Sequence, residues 1–285
     1  MNFDSVESDA ALTQILAKTE RMPLLFLGHG SPMNAIEDNV YRRSWQALGA
    51  RFGVDWPKPQ LILCISAHWL TTGWCLTAMA QPRTIHDFGG FPRALFDQQY
   101  PAPGFVEAAQ AISQRLRQPG SDLPLAQDLD NWGLDHGAWS VLKPMFSLAD
   151  IPVIQLSMDY GRPASEHYAL GQQLSSLRRR GVLIVGSGNI VHNLSRMKMD
   201  AAPSQAFDWA RQFDQFVAAS LHSRDHAALQ DFQKLGEVAR QSHPTHEHLL
   251  PLFYTSGASE PDEIPEFFNA DWVAASISMR SVLWC

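Results

Sequence analysis

Three short apolar runs in this chain each pass through small or polar residues into a histidine: LLFLGHG carries His29, LILCISAHW carries His68, and LIVGSGNIVHN carries His192. Runs of this length read as buried strands, and an open α/β sheet gathers its ligands beyond the carboxyl ends of its strands. Three imidazoles would then converge on one crevice. Neutral imidazole is the commonest protein ligand for zinc, iron, nickel and copper, so the pattern points to a metal site.

Between the runs, strands and helices alternate. Residues 1–21 suit a short amphipathic or frayed lead, and Pro23 opens a strand over Leu24–Leu27. A helix follows over Asn39–Phe52, stopped by the WPKP stretch, and then strands over Leu61–Ala67 and Leu76–Met79. Helices are expected over Phe105–Leu116 and Gly137–Phe146, a strand over Ile151–Met158, a helix over Ala164–Arg179 and a strand over Val182–Val185. The remainder reads as helices over Phe207–Leu221 and His248–Thr255 and a last strand within Ala275–Leu283. Parallel neighbours need long crossover connections, so this order predicts an α/β fold: a single domain over 23–285 after a lead segment over 1–22, with a largely parallel central sheet and helices on both faces. The Gly/Pro-rich excursion PRTIHDFGGFPRALFDQQYPAPG is expected to lack regular structure, and long ordered loops of this kind are often functional.

A formal charge of -7 argues against a nucleic-acid or anionic-membrane partner, which would need a basic surface, and leaves a small molecule as the expected ligand. Cys64, Cys75 and Cys285 form neither an even-numbered framework nor a CxxC pair, which fits a reducing compartment. The acidic amino terminus does not read as a secretory signal, and no apolar stretch reaches the roughly 18 residues of a spanning helix. A cytoplasmic protein is expected.

The chain has 11 histidines, most of which need sorting before any is given a role. His167, His222 and His226 lie on expected helices among charged neighbours and suggest no chemistry. His29 is bracketed by glycines, which permit a tight turn and close backbone approach. His68 alone could be a core residue beside Trp69, but its placement matches that of His29. His192 follows Gly-Ser-Gly-Asn, a turn whose amides could bind an anion, although no lysine follows at the phosphate-loop spacing. In the HPTHEH cluster, residues two apart on a helix do not share a face, so His246 and His248 should not both reach one ion; geometry does not choose among His243, His246 and His248. His136, in WGLDHGAW, reads equally as a cap or as a general acid/base, and His86 is a pocket-loop candidate.

Several segments, in order, resemble the class III extradiol ring-cleavage dioxygenase superfamily and, within it, the 4,5-DOPA extradiol dioxygenase-like family. They are GHGSPMN from Gly28, SAHW from Ser66, TIHDFGGFP from Thr84, YPAPG from Tyr100, DHGAW from Asp135, GSGNIVHN from Gly186 and the EHLLPL run from Glu247. The resemblance implies that His29, His68 and His248 are metal ligands, with His192 a fourth ligand or the active-site base. It implies a divalent metal, Zn(2+) or Fe(2+), with a catechol such as DOPA and O2 as substrates. His136 would be a second acid/base, and the loop carrying His86, Asp87 and Phe88 would line the substrate pocket. In protocatechuate-cleaving relatives a carboxylate completes a two-histidine set suited to Fe(II), whereas here a histidine replaces it; four imidazoles would suit tetrahedral zinc, which does no redox chemistry. The alternatives on the same scaffold are a zinc-dependent hydrolase and a non-catalytic metal-binding protein.

Overall fold

A computed structural model of the chain describes residues 12–285. In chain order its strands are β1 (Leu24–Gly28), β2 (Leu61–Leu70), β3 (Cys75–Thr77), β4 (Arg83–Thr84), β5 (Ala126–Asp128), β6 (Gly133–Leu134), β7 (Val153–Met158), β8 (Val182–Gly188), β9 (Glu266–Phe268), β10 (Trp272–Val273), β11 (Ile277–Ser278) and β12 (Ser281–Trp284). One sheet takes the order β5-β3-β7-β2-β8-β1-β12-β9, while β4 pairs with β6 and β10 with β11. The centre, β7-β2-β8-β1, is parallel throughout. Antiparallel pairing appears only toward the flanks, where β3 meets β7 and where β12 joins β1 and β9.

Alternation along these strands divides the core between two faces. Leu24, Phe26, Leu61, Leu63, Ile65, Val182 and Ile184 pack into one cluster with Leu170, Leu174, Leu250 and Phe253, from helices Ala164–Leu174 and Leu250–Ala258. Leu25, Leu27, Ile62, Cys64, Leu183 and Val185 pack into the other with Trp45, Leu48, Trp139 and Leu142, from helices Val40–Gly49 and His136–Met145. Successive side chains point to opposite faces, so a strand covered on both sides must be apolar at nearly every position. This is the expected single α/β domain with helices on both faces.

Three departures from the sequence expectation matter for the site. β2 continues through Leu70, with a register irregularity between Ile65 and Leu70, so His68 lies within the strand. β8 continues through Gly188, so Gly-Ser-Gly is not an anion-binding turn but strand paired with Phe26, Leu27 and Gly28. The glycines are needed by close approach: a Cβ at Gly186 would lie 2.7 Å from Pro251 O and one at Gly188 only 2.1 Å from His248 O. Finally, the helix expected from His248 starts at Leu250 and leaves His248 in the turn before it.

Elsewhere the expected helix Ala164–Arg179 changes at Ser175 to a 3-10 turn that Gly181 closes at φ 66, and the run Ala275–Leu283 divides into β11 and β12. The Gly/Pro-rich excursion is not without regular structure, since it contains β4 and a short helix, Arg93–Phe96. Of the expected lead helix, residues 12–15 are helical, with Leu12 and Leu16 in the core; its first eleven residues lie outside the described residues. Among the described residues, no helix is long and apolar enough to cross a membrane.

Candidate metal centre

Because β2, β8 and β1 are neighbours, their carboxyl ends bring His68, Ser187 and His29 to one edge of the sheet. His136 comes from one face, as the first residue of helix His136–Met145, and His248 from the other, just before helix Leu250–Ala258. The first approach requires a bare backbone: a Cβ on Gly137 would lie 2.3 Å from Ser66 Oγ and 2.9 Å from His68 Cδ2. The buried Asp135 carboxylate fixes that helix end, accepting from Ala138 N at 3.1 Å, Ser66 Oγ at 2.6 Å and Gln155 Nε2 at 2.7 Å. A carboxylate at a helix N-terminus also complements the helix dipole.

The ring centroids of His29, His68 and His248 form a nearly equilateral triangle with edges of 5.1, 5.2 and 5.1 Å. Imidazoles bound at about 2.0–2.1 Å to one tetrahedral ion have centroids about 5.2 Å apart and nitrogens about 3.3 Å apart. His29 Nε2 and His68 Nε2 are 3.3 Å apart. The other ring pairs are different in kind. His136 lies 3.9 Å from His68 and 5.8 Å from His29, and His192 stacks on His248 at 3.5 Å with an interplanar angle of 10°. Donor atoms also fall into two compact groups, His29 with His68 and His136, and His192 with Glu247 and His248.

Hydrogen-bond partners assign the tautomers. Ser187 Oγ donates to Gly137 O at 2.5 Å, so it accepts from His29 Nδ1 at 3.0 Å. His248 Nδ1 donates to Glu247 Oε1 at 2.8 Å, and His68 Nδ1 faces Asp87 Oδ2 at 3.5 Å. His29 and His248 therefore carry their proton on Nδ1, and the Asp87 carboxylate favours the same in His68; the Nε2 atoms of His29 and His68 then face each other as lone pairs, the arrangement that acceptors behind metal-binding histidines impose. Two such lone pairs 3.3 Å apart, on His29 and His68, repel unless a cation lies between them. The residues present thus fit a divalent metal.

Burial, reinforced by the neighbouring imidazoles, pushes His29 and His248 well below the ordinary histidine range. Burial likewise lowers His68 to about 4, with His136 adding to the effect, and His192 to about 3, with His243 adding to it. The rings are neutral near pH 7 and need lose no proton to act as ligands. Burial opposes ionisation of Asp87, but the donors of His136 and the proximity of His68 outweigh it and hold the carboxyl below its usual range.

Of the residues singled out from sequence, His29, His68, His136, His192, His248, Asp87 and Phe88 gather here, with the Phe88 ring 5.5 Å from that of His136 and edge-on to it. His86 has a different engagement: its Nε2 donates to Gln98 O at 2.9 Å, and its ring packs near Phe88, Phe96 and Trp139. His243 is committed to Ile190 O at 2.6 Å, and His246 stacks on Tyr160. His167, read from the sequence as a helix residue among charged neighbours, is buried against Tyr254. Ser187, Asp135 and Glu247 were not singled out. The serine within Gly-Ser-Gly and the acids immediately before His136 and His248 were the available signals.

A family model described as the catalytic LigB subunit of aromatic ring-opening dioxygenase matches residues 23–282. A 4,5-DOPA dioxygenase extradiol of Escherichia coli (strain K12) is 46% identical over 258 residues, covering 88% of this chain and 91% of the relative. One of Beta vulgaris is 34% identical over 260 residues, covering 90% of this chain and 94% of the relative. The crystal structure of an uncharacterized protein from Escherichia coli K12 superposes with a TM-score of 0.78 at 40% identity, covering 92% of this chain and 99% of that one.

Proposed function

We propose, from the premise that this chain belongs to the LigB family of aromatic ring-opening dioxygenases and is an extradiol dioxygenase, that its substrate is a catechol such as DOPA and that His29, His68 and His248 hold one divalent metal. Family membership sets aside the hydrolase and the purely metal-binding alternatives. The observation that carries the ligand assignment is the 5.1, 5.2 and 5.1 Å triangle of rings, with the Nε2 atoms of His29 and His68 3.3 Å apart. Iron(II) is the metal that suits the reaction, because zinc has no accessible redox chemistry. Bound there, it supplies chelation of the diol and electron transfer to dioxygen.

The remaining side chains handle protons and exclude water. His136 has Nδ1 3.0 Å from Asp87 Oδ1, so its Nε2 is free to accept a proton from a catechol hydroxyl, and the carboxylate stabilises the imidazolium that results. Stacked on His248 outside the triangle, His192 is read as the second proton-handling group, its alternative role being that of a fourth ligand. Phe88, packed with Phe91, Phe96 and Trp139, gives an aromatic ring an apolar wall. Glu247 stands behind His248 and accepts its Nδ1–H at 2.8 Å, which holds that ring in place.

The test is oxygen uptake by protein reconstituted anaerobically with Fe(II), against a panel of catechols and beside the zinc form. The iron form should consume oxygen with a catechol and the zinc form should not. His136→Gln should keep metal and catechol binding while turnover falls about 10²–10⁴-fold, the usual worth of a positioned acid or base. Absence of catechol-dependent uptake by the iron form would overturn the substrate assignment.

A further inference from the structure

Asp87 lies between a tethered and an open stretch of its loop. Upstream, Ile85 N donates to Leu134 O at 2.7 Å, Trp139 Nε1 donates to Ile85 O at 2.8 Å, and His86 Nε2 holds Gln98 O. Downstream, Gly89 and Gly90 have open space where a side chain would stand. The tethered stretch, together with Phe88 packed on Phe96, His136 and Trp139, holds Asp87 at the site. Its Oδ1 accepts the backbone N–H of His136 at 2.9 Å, at the positive end of helix His136–Met145, and faces His136 Nδ1 at 3.0 Å. Its Oδ2 faces His68 Nδ1 at 3.5 Å.

Neither approach is aligned as a hydrogen bond, and the buried His136 Nδ1 has no hydrogen-bond partner, but a carboxylate oxygen this close favours, by charge alone, the proton on the nearer nitrogen of each ring. Both rings therefore favour the tautomer protonated on Nδ1. We propose that Asp87 is a positioning residue whose single carboxylate fixes the tautomer and ring orientation of His68 and His136 together. In the functional reading above, on which this inference rests, it thereby couples a metal ligand to the group that takes the proton. An asparagine cannot do the same, because its amide has one acceptor oxygen and its NH2 would face the N–H of one of the two rings.

The test uses the metal-free chain labelled with 15N at histidine, with long-range proton–nitrogen correlations assigned through His68→Gln and His136→Gln. Wild type should show Nδ1–H at both rings. Asp87→Asn should lose that tautomer at one ring or both, and its zinc affinity, measured by chelator competition, should fall about 10–100-fold. Asp87→Ala, which removes the carboxylate without adding a donor, is the second variant should the first fail to fold. Unchanged tautomers or unchanged zinc affinity in these variants overturns the proposal, even if the KM for a catechol rises, since that pattern describes a residue that only touches substrate. A wild-type chain that binds no stoichiometric metal would defeat the functional reading instead, and the tautomers alone would then decide the role of Asp87.

Discussion

At the scale of single residues, the groups behind the rings decide what the rings can do. Ser187 has one proton, which goes to Gly137 O, so its oxygen can only accept from His29. Ser187→Ala removes that acceptor in a fully buried place and should lower metal affinity about 10–100-fold, as loss of a ligand's supporting hydrogen bond does elsewhere. Chelator competition measures it, and an affinity equal to wild type would show that Ser187 does not hold His29 in its tautomer. His29 was legible in the sequence because glycines flank it at the end of an apolar run. Ser187 was not, since Gly-Ser-Gly has the composition of a turn and becomes strand only because the His248–Pro251 backbone presses on both glycines. His248 could not be separated from His243 and His246 by spacing; their positions against Ile190 O and Tyr160 separate them.

At the scale of elements, the two helices on the first face are joined by a hydrogen-bond chain with a fixed direction. Trp74 Nε1 can only donate, so Tyr254 accepts from it at 2.7 Å and must give its own proton to His167 Nδ1, also at 2.7 Å. His167 is therefore neutral in the folded chain, and burial lowers it to about 4 against an ordinary value of 6.5. The unfolded chain binds the extra proton first. Stability should consequently be complete above about pH 6.5 and decline as pH falls toward 4, with this residue contributing up to about 1.4 kcal/mol per pH unit. Urea unfolding of wild type and His167→Gln at pH 7 and pH 5 tests this: the variant should lose less stability on acidification, and an equal loss would show that His167 is not a source of the slope. The strands were legible in outline because each must be apolar on both faces. Their carboxyl ends were not, because β2 and β8 run on through polar and glycine residues whose strand conformation depends on tertiary pairing with β7 and β1.

At the scale of the whole molecule, the site exists only when the sheet closes in its observed order. β8 lies between β2 and β1, and helices on opposite faces then deliver His136 and His248 to the same edge. The fold class and the convergence of His29 and His68 follow from the alternation of strands and helices, whereas the meeting of Asp87 with His136 depends on the small β4–β6 pairing inside an excursion expected to be irregular. In the proposed reading, His29, His68 and His248 form one metal site, with His136 beside it. The most direct test of this reading is the metal content and affinity of iron-reconstituted wild type, His248→Ala and His136→Gln. One tightly held ion per chain in wild type and in His136→Gln, with loss in His248→Ala, is the predicted result. Retention in His248→Ala together with loss in His136→Gln would instead assign the ion to His29, His68 and His136, and a wild-type chain without stoichiometric metal would contradict the site altogether.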